Sequence, residues 1–449
     1  MQTDILIIGG SAAGFVAAST AKLNYPNKKV VLFRNEEVVM IPCGIPYIYG
    51  TTGSSEKNVL PDMGLKNAGV EINIGEITDI NCSEKFCKSS SGEQINFEKL
   101  IIATGSTPIK PQWLKGSHLQ NVYVIPKNKK YLDSFQTELE NIKDIAIIGA
   151  GFIGVEVADE LKKIGKNVTI IEKQNQILPA AFDEEIAAEA NAIISERGVK
   201  VITGSGIKEI IGNEKVQGII LEDGREIQAD AVVLSMGYAP NNELAKKCGL
   251  TLNEKGFIQV DEYMRTSVHG IFAAGDCAEK RDFFTRKISS TMLASTACAE
   301  ARIAAMNIFQ LSVLKTFGGT IAIYSTAVGN TSFSTAGLTE KMAIDEGYNI
   351  ITGVFEGVDR HPGALPGSHK QKVKLIVSKE CGTILGAEII GGISSGELIN
   401  VVGIMIQSKM SLASLITSQI GTHPLLTASP AAYPLIKAAE MAWKQIKMG

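Results

Sequence analysis

The sequence predicts an α/β protein with two parallel sheets, because one strand–turn–helix pattern occurs twice. Residues 5–14 (ILIIGGSAAG) return as residues 145–154 (IAIIGAGFIG), so the two copies begin 140 positions apart. Each apolar run is rich in β-branched residues, which suits a strand buried on both faces. A helical stretch follows each glycine turn, at 14–23 and 155–164. Each copy therefore opens a βαβ unit.

Second strands at residues 29–33 and 167–171 complete both units, and the last part of the chain follows a different pattern. No third glycine turn occurs after Gly318. That region alternates strand-like and helical runs, which we expect at 371–377, 382–390, 396–407 and 431–446. The predicted fold class is therefore α/β, with two Rossmann-like dinucleotide-binding domains and a C-terminal α+β domain.

Composition indicates a protein of several domains that does not bind nucleic acid. With 449 residues the chain needs two or three cores. Charged residues make up 20% and apolar residues 45%, and the net charge is only -3, which argues against disorder and against a polyanion partner. The N-terminus lacks the basic region of a signal peptide, and no apolar run reaches the roughly 18 residues of a membrane span. We expect a cytoplasmic location and no membrane partner.

The seven cysteines do not predict a disulfide framework or a metal site. Their number is odd, and none has the spacing of a metal-ligand cluster. Cys82 and Cys87 are five positions apart in a polar segment, so a redox pair is one interpretation. Ordinary thiols are the favoured interpretation for most of the seven.

The second glycine turn has the residues that a dinucleotide requires. Gly149 makes the tight turn, Gly151 lets the backbone approach the pyrophosphate, and Gly154 lets the helix pack on the strand. Glu172 ends the next strand, where a carboxylate accepts a hydrogen bond from the ribose 2′-hydroxyl. Such an acid favours NADH over NADPH, although the neighbouring Lys173 weakens the preference. The first turn has Ser11 at its middle position.

Four segments together resemble the pyridine nucleotide-disulfide oxidoreductases. The two glycine turns are joined, in the order of that family, by residues 100–108 (LIIATGSTP) and 270–276 (GIFAAGD), and residues 233–240 (VLSMGYAP) resemble its return segment. The resemblance implies FAD on the first unit and NAD(P)H on the second. It also implies a homodimer held by the C-terminal domain. The expected domains are 1–112 with 250–320 for FAD, 113–249 for NAD(P)H, and 321–449 for dimerisation.

Cys43, in the segment IPCGIPY, identifies the branch of the family that the chain resembles. The branch with two cysteines separated by four residues would have a second cysteine at position 48, where this chain has Ile48. The segment is similar to the single-cysteine branch of NADH oxidases, NADH peroxidases and reductases of coenzyme A disulfide or persulfide. We expect the flavin, a helix N-terminus and backbone donors to lower the pKa of Cys43. A buried, inert cysteine is the alternative.

The resemblance also assigns residues to the two cofactors. Arg34 stands where the family usually has a ribose-binding Glu, so Arg34 must contact adenine or phosphate, or Glu36 must replace that acid. The other residues implied to contact FAD are Gly9, Gly10, Ser11, Ala12, Ala13, Gly14, Glu76, Ile77, Ala103, Thr104, Gly105, Asp276, Ala294, Ser295 and Thr296. Those implied to contact the nicotinamide nucleotide are Gly149, Gly151, Phe152, Ile153, Gly154, Glu172 and Gly237.

The resemblance implies that a hydride passes from NADH to FAD and that the electrons continue through Cys43 to an acceptor. Oxygen is the favoured acceptor. The first glycine turn lacks the histidine of NADH peroxidases, and residues 39–42 (VMIP) lack the Ser-x-x-Asn of coenzyme A disulfide reductases. Reduction of coenzyme A disulfide, persulfide or polysulfide is the alternative.

His423, followed by Pro424, is a candidate acid-base group that reaches across the dimer, and Tyr433 is a second candidate. A structural role for His423 is equally open. A reading of another class is a redox-sensing or electron-transfer flavoprotein that acts on a protein partner. Cys43 argues against it, since such relatives need no thiol beside the flavin.

Overall fold

The first sheet carries the first glycine turn. The computed structural model describes residues 1–448, and for 447 and 448 the backbone alone. The first elements are β1 (Gln2–Ile8), α1 (Ala12–Asn24), β2 (Val30–Arg34), α2 (Met63–Asn67), β3 (Glu71–Ile74), β4 (Ile77–Asn81), β5 (Phe86–Ser89), β6 (Gln94–Ile102) and β7 (Ser106–Pro108). The strand order is β3-β2-β1-β6-β5-β4, parallel from β3 to β6.

The second sheet carries the second glycine turn and is parallel, in the order β11-β10-β9-β15-β8. An antiparallel sheet of β12, β13 and β14 covers one side of it. The elements of this part are β8 (Val122–Tyr123), α3 (Lys129–Glu138), β9 (Asp144–Ile148), α4 (Phe152–Lys163), β10 (Asn167–Ile171), α5 (Glu184–Glu196), β11 (Lys200–Ile202), β12 (Ile207–Gly212), β13 (Val216–Leu221), β14 (Glu226–Gln228), β15 (Ala231–Leu234), β16 (Tyr238–Pro240) and α6 (Glu243–Lys247).

The chain then returns to the first sheet. The returning elements are β17 (Ile271–Ala273), β18 (Lys280–Arg281), β19 (Ile288–Ser289) and α7 (Ala294–Met306). Strand β17 pairs in parallel with β6, and β16 pairs with β7 where the chain crosses between the two sheets. Helix α7 packs along α1, so one layer of helices covers the first sheet.

The last part of the chain forms a five-stranded antiparallel sheet, in the order β20-β21-β24-β23-β22, with helices against it. Its elements are β20 (Tyr324–Val328), β21 (Thr331–Gly337), α8 (Glu340–Asp345), β22 (Ile350–Val358), β23 (Lys370–Ser378), β24 (Ile384–Gly391), α9 (Ser395–Gln407), α10 (Leu412–Ile416) and α11 (Pro434–Met448). The predicted fold class is confirmed. The domain boundaries stay predictions, and the final residue of the last expected domain, Gly449, lies outside the described residues.

Most predicted elements match to within one or two residues, and β10 has the predicted bounds. The predicted helix at 431–446 begins later, at Pro434, because residues 430–432 form a 3-10 turn. Among residues 1–448 no helix is both long and apolar enough to cross a bilayer.

A buried charge cluster joins the second parallel sheet to the last sheet. The ammonium of Lys374 on β23 lies 2.9 Å from Asp183, at the start of α5, and 2.8 Å from Glu340. It also contacts Glu185. Glu388 accepts a hydrogen bond from the Asp183 amide at 2.7 Å, and burial, together with the Asp183 charge, raises the pKa of Glu388 to about 8. Since α4 and α5 flank the same sheet, this cluster fixes α4 relative to the last sheet.

Candidate active site

A cavity of about 690 Å³ opens where the first sheet, the second sheet and β20 meet. Pockets of this size accommodate cofactors and drug-sized ligands. The predicted residues that line it are Ser11, Ala12, Ala13, Cys43, Ala103, Gly105, Gly151, Phe152, Ile153, Gly237, Asp276, Ala294 and Ser295. The predicted residues outside its lining are Gly9, Gly10, Gly14, Arg34, Glu36, Glu76, Ile77, Thr104, Gly149, Gly154, Glu172, Thr296, His423 and Tyr433.

The glycine turns owe their shape to close approaches between backbone segments. Gly9 has φ +114°, and a Cβ there would lie 2.1 Å from the carbonyl oxygen of Ala103. Gly149 has φ +102°, and its Cβ would lie 2.3 Å from the carbonyl oxygen of Ser235. An L side chain rarely adopts such a φ, and nothing larger than hydrogen fits. The turns therefore press each loop against the neighbouring strand end.

The two helices that follow these turns leave their N-termini open to an anion. Ser11 caps α1 and Gly151 caps α4, and neither makes a side-chain capping bond. The first turn of each helix also lacks an acidic residue. The free N–H groups and the positive end of each helix dipole therefore face the cavity, as phosphate binding requires. These residues fit the pyrophosphates of two dinucleotides.

Asp276 places a carboxylate in the lining of the cavity. Its Oδ2 accepts a hydrogen bond from Ser106 at 2.7 Å and from the ammonium of Lys127 at 3.0 Å. Burial acts to raise the pKa of Asp276, but Lys127 and Ser106 outweigh it and hold that pKa below its usual range. Asp276 is therefore an ionised acceptor, suited to the hydroxyls of a ribityl chain. Lys127 escaped prediction because its partner is 149 positions away.

Cys43 lies in a short 3-10 helix, Pro42–Gly44, and its side chain is exposed at the cavity. A second 3-10 helix, Pro46–Ile48, follows, so the helix N-terminus at Cys43 is that of a single 3-10 turn. The protein groups do not produce the expected lowering of its pKa, and the share expected from the flavin stays a prediction. Desolvation of the sulfur by the surrounding cavity wall and the charge of Glu156 raise the pKa of Cys43, and Lys127 opposes them.

The loop that carries Cys43 is held by helix α4 of the second sheet. Glu160, fully buried on α4, accepts a hydrogen bond from the Thr51 hydroxyl at 2.8 Å. The segment Pro46–Ile48 packs against the same helix. Since Phe152 is on the first turn of α4, the helix sets the position of Cys43 relative to the second glycine turn.

Glu156 is a cavity residue that the sequence reasoning missed. It lies on α4, accepts a hydrogen bond from Thr326 at 2.9 Å, and lies beside Tyr47. Burial raises the pKa of Glu156 to about 7, despite the hydrogen bonds from Thr326 and Tyr47. Its position four residues after Phe152 places both on one helix face, which is the signal that could have revealed it.

Phe152 stacks on Tyr324 of β20, with ring centroids 4.8 Å apart and an angle of 12° between the planes. Both rings line the cavity. The pair covers the side of the cavity next to the second glycine turn with apolar surface, and it brings the last sheet into the site. Tyr324 was not predicted, because its ring reaches the cavity only through the packing of β20 on α4.

Arg34 and Glu36, the charged residues expected near adenine and ribose, both have partners within the protein. Arg34 makes a bidentate pair with Asp62, at 2.6 and 2.9 Å, and its stem packs against Gly10. Asn128 donates to the carboxylate of Glu36 at 2.9 Å. Contacts of Arg34 or Glu36 with adenosine stay predictions, as do those of the exposed Glu76 and the buried Ile77.

Glu172 supports the second glycine turn directly. One carboxylate oxygen accepts from the amide of Ala150 and the other from the amide of Gln174, both at 2.8 Å. A carboxylate has about four acceptor positions, so a ribose hydroxyl still finds a free lone pair. Lys173 points to the exposed Glu222, 3.2 Å away. The contact of Glu172 with ribose stays a prediction.

His423 and Tyr433 lie in the last part of the chain, outside the cavity lining. His423 is exposed, and its Nδ1 accepts a hydrogen bond from the amide of Leu425 at 3.3 Å. Tyr433 is half-buried against the last sheet, and burial raises its pKa. Their catalytic role stays a prediction.

Known proteins resemble the chain over nearly its whole length. The family described as pyridine nucleotide-disulphide oxidoreductase matches residues 3–301, and the dimerisation domain of the same family matches residues 323–432. The NAD(P)H coenzyme A polysulfide/persulfide reductase of Pyrococcus horikoshii is 30% identical over 406 residues, which are 87% of this chain and 88% of that protein.

Two further relatives are an NADH oxidase and a persulfide reductase. The NADH oxidase of Methanocaldococcus jannaschii is 30% identical over 426 residues, 91% of this chain and 92% of that protein. The solved structure of an NAD-dependent persulfide reductase from A. fulgidus superimposes with a TM-score of 0.89, at 29% identity, over 100% of this chain and 84% of that one.

The glycines of the second turn give a matched pair of variants. Gly149→Ala places a Cβ against Ser235 and is expected to lower the Tm. A Cβ on Gly151 meets nothing within 4 Å, and its φ of -71° suits any residue. Gly151→Ala should therefore keep the Tm of the parent while weakening NADH binding about tenfold, since the methyl group occupies the approach of the pyrophosphate. Thermal unfolding and NADH titration measure both. Unchanged NADH binding in Gly151→Ala would contradict the site.

Glu156→Gln is expected to make Cys43 more acidic. Above pH about 7 the Glu156 carboxylate is charged and disfavours the thiolate, so its removal lowers the pKa of Cys43. The rate of Cys43 alkylation, followed by peptide mass analysis across pH, should shift to lower pH. Glu189→Gln, an exposed acid on α5, is the control. An unshifted profile in Glu156→Gln would show that the two groups do not interact.

Proposed function

The chain belongs to the pyridine nucleotide-disulphide oxidoreductase family, and from this membership we propose an FAD-dependent NAD(P)H oxidoreductase that acts through one redox-active cysteine, Cys43. The family uses a flavin and a pyridine nucleotide; that the flavin is FAD and the donor NADH is part of the proposal. The observation that carries it is the shared cavity, in which Cys43, Phe152 and Asp276 line one space.

Bound FAD would supply the chemistry that the chain lacks, by taking a hydride from the nicotinamide and giving two electrons to sulfur. The residues of the chain bind, orient and exclude water. The N-termini of α1 and α4 hold the two pyrophosphates, and Asp276 accepts from the ribityl chain. Phe152 and Tyr324 keep water from the nicotinamide side. Glu156, with a pKa of about 7, exchanges a proton near neutral pH beside Cys43.

NADH is the proposed donor, and NADPH is the second candidate. Glu172 ends β10 with a carboxylate that would repel a 2′-phosphate. Lys173, the neighbouring cation, is exposed and lies beside Glu222, so its charge is partly balanced. This pairing supports the preference for NADH. A cytoplasmic location is also part of the proposal, because a redox-active thiol turns over in a reducing compartment.

Oxygen is the proposed acceptor, in agreement with the relatives named NADH oxidase. Reduction of coenzyme A disulfide, persulfide or polysulfide is the second candidate, and one feature of the site favours it. Cys43 lines the cavity, so its thiol meets a sulfur compound that binds there. Thiol–disulfide exchange requires such access.

We propose a homodimer held by the last sheet and its helices. The dimerisation domain of the family matches this part of the chain. Ile393, Val401 and Ile404, before and on α9, are exposed by 85%, 41% and 64%. Such apolar side chains belong in an interface. In this dimer His423 and Tyr433, which lie outside the cavity of their own chain, would approach the cavity of the partner.

Replacement of the thiol tests the proposal. Cys43→Ser should keep bound flavin and its reduction by NADH, while turnover with its acceptor falls about 100-fold or more. Oxygen, coenzyme A disulfide and polysulfide are assayed side by side with the parent, and the largest loss identifies the acceptor. Cys381→Ser, which removes the other exposed thiol, is the control. Full turnover of Cys43→Ser with all three acceptors would refute the cysteine path.

A further inference from the structure

Three cysteines come together on the first sheet, and none of them lines the cavity. Cys82 lies in the turn between β4 and β5, Cys87 lies on β5, and Cys248 caps the C-terminus of α6. Helix α6 packs against β4, and all three cysteines contact one apolar cluster that includes Ile80 and Ala245. In the sequence, Cys82 and Cys87 precede the second sheet and Cys248 follows it, so the fold brings together residues from both sides of that sheet.

Burial separates the three thiols into an accessible pair and a closed one. Cys82 and Cys248 are half-buried and reachable from solvent, whereas Cys87 is fully buried. The side chains of Cys82 and Cys248 pack against the same apolar cluster, at the contact between α6 and β4. The Cys248 thiol is also held in place, because it donates to the carbonyl oxygen of Ala245 at 3.4 Å. Sequence spacing had suggested Cys82 with Cys87; the contacts instead join Cys82 to Cys248.

We propose that Cys82 and Cys248 are a redox modification site, where exchange with a low-molecular-weight disulfide forms a reversible disulfide between them. Burial and the neighbouring Cys248 raise the pKa of Cys82 to about 12, which makes Cys82 a poor first nucleophile. Cys248 therefore attacks one sulfur of the external disulfide and releases one thiol. Cys82 then loses its proton and attacks the Cys248 sulfur, which releases the second thiol. Two protein thiols are oxidised and one external disulfide is reduced to two thiols.

The Cys82–Cys248 disulfide would tie α6, which follows the return segment, to the first sheet. Just before α6, Asn241 accepts a hydrogen bond from the Thr104 hydroxyl at 2.7 Å through its carbonyl oxygen, and its side-chain amide donates to the Thr104 carbonyl at 2.9 Å. The return segment is therefore already docked at the crossing between the sheets. A covalent link from residue 248 to residue 82 encloses the whole second sheet in one loop. Such a link restricts the unfolded chain, so oxidation should raise the Tm.

Peptide mapping of the flavin-loaded protein tests the proposal without reference to turnover. The reduced protein is treated with glutathione disulfide, its remaining thiols are alkylated, and it is digested without reductant. We expect one cross-linked peptide pair that contains Cys82 and Cys248, about 2 Da lighter than the two thiol peptides together. Dithiothreitol should abolish it and return the Tm to that of the reduced protein. Cys87 should react only after unfolding.

Single variants identify the order of attack. Cys82→Ser should lose the cross-link and accumulate glutathione on Cys248, whereas Cys248→Ser should leave Cys82 mostly unmodified. Cys381→Ser should form the cross-link as the parent does. The proposal is overturned if the oxidised parent protein carries alkylated or separately glutathionylated Cys82 and Cys248. This outcome is measured on the parent protein, so it decides the proposal even if a variant fails to fold.

Discussion

The site depends on the close approach of backbone segments at the carboxyl ends of the parallel strands. Gly9 lies against Ala103, and Gly149 lies against Ser235, each so closely that a Cβ would overlap a carbonyl oxygen. This contact aims α1 and α4 so that both uncapped N-termini face one cavity. The helix dipoles then provide two anion sites whose separation is set by the sheets and not by flexible side chains.

The remaining elements hold a thiol between those two sites. Glu160 on α4 fixes the loop of Cys43, so one helix serves both the nucleotide turn and the cysteine. Lys374 and its surrounding carboxylates join the last sheet to α5, and Tyr324 of that sheet reaches Phe152. Breaking such a buried cluster by removing one partner costs several kcal/mol. The arrangement of the cavity is therefore coupled to the stability of the interface between the sheets.

Local sequence patterns predicted the fold. The features that the sequence did not predict arise from contacts between residues that are far apart in the chain. The glycine turns and β10 were predictable because alternation, β-branching and turn chemistry act over a few residues. The raised pKa of Cys43 was not, because it arises from desolvation by the cavity wall and from Glu156, 113 positions away on helix α4. Arg34 likewise meets Asp62 across a loop that no local pattern describes. Sequence therefore identified Cys43 as the candidate redox residue and missed the groups that shift its pKa.

The central claim is that the nicotinamide, the flavin and Cys43 form one path for electrons. Anaerobic titration of the oxidised, flavin-loaded protein with NADH tests it most directly. If an oxidised sulfur at Cys43 is in line with the flavin, the parent protein should consume about two equivalents of NADH per flavin before full bleaching, and Cys43→Ser should consume about one. The same single equivalent for both proteins, with no change in the mass of the Cys43 peptide, would contradict the account.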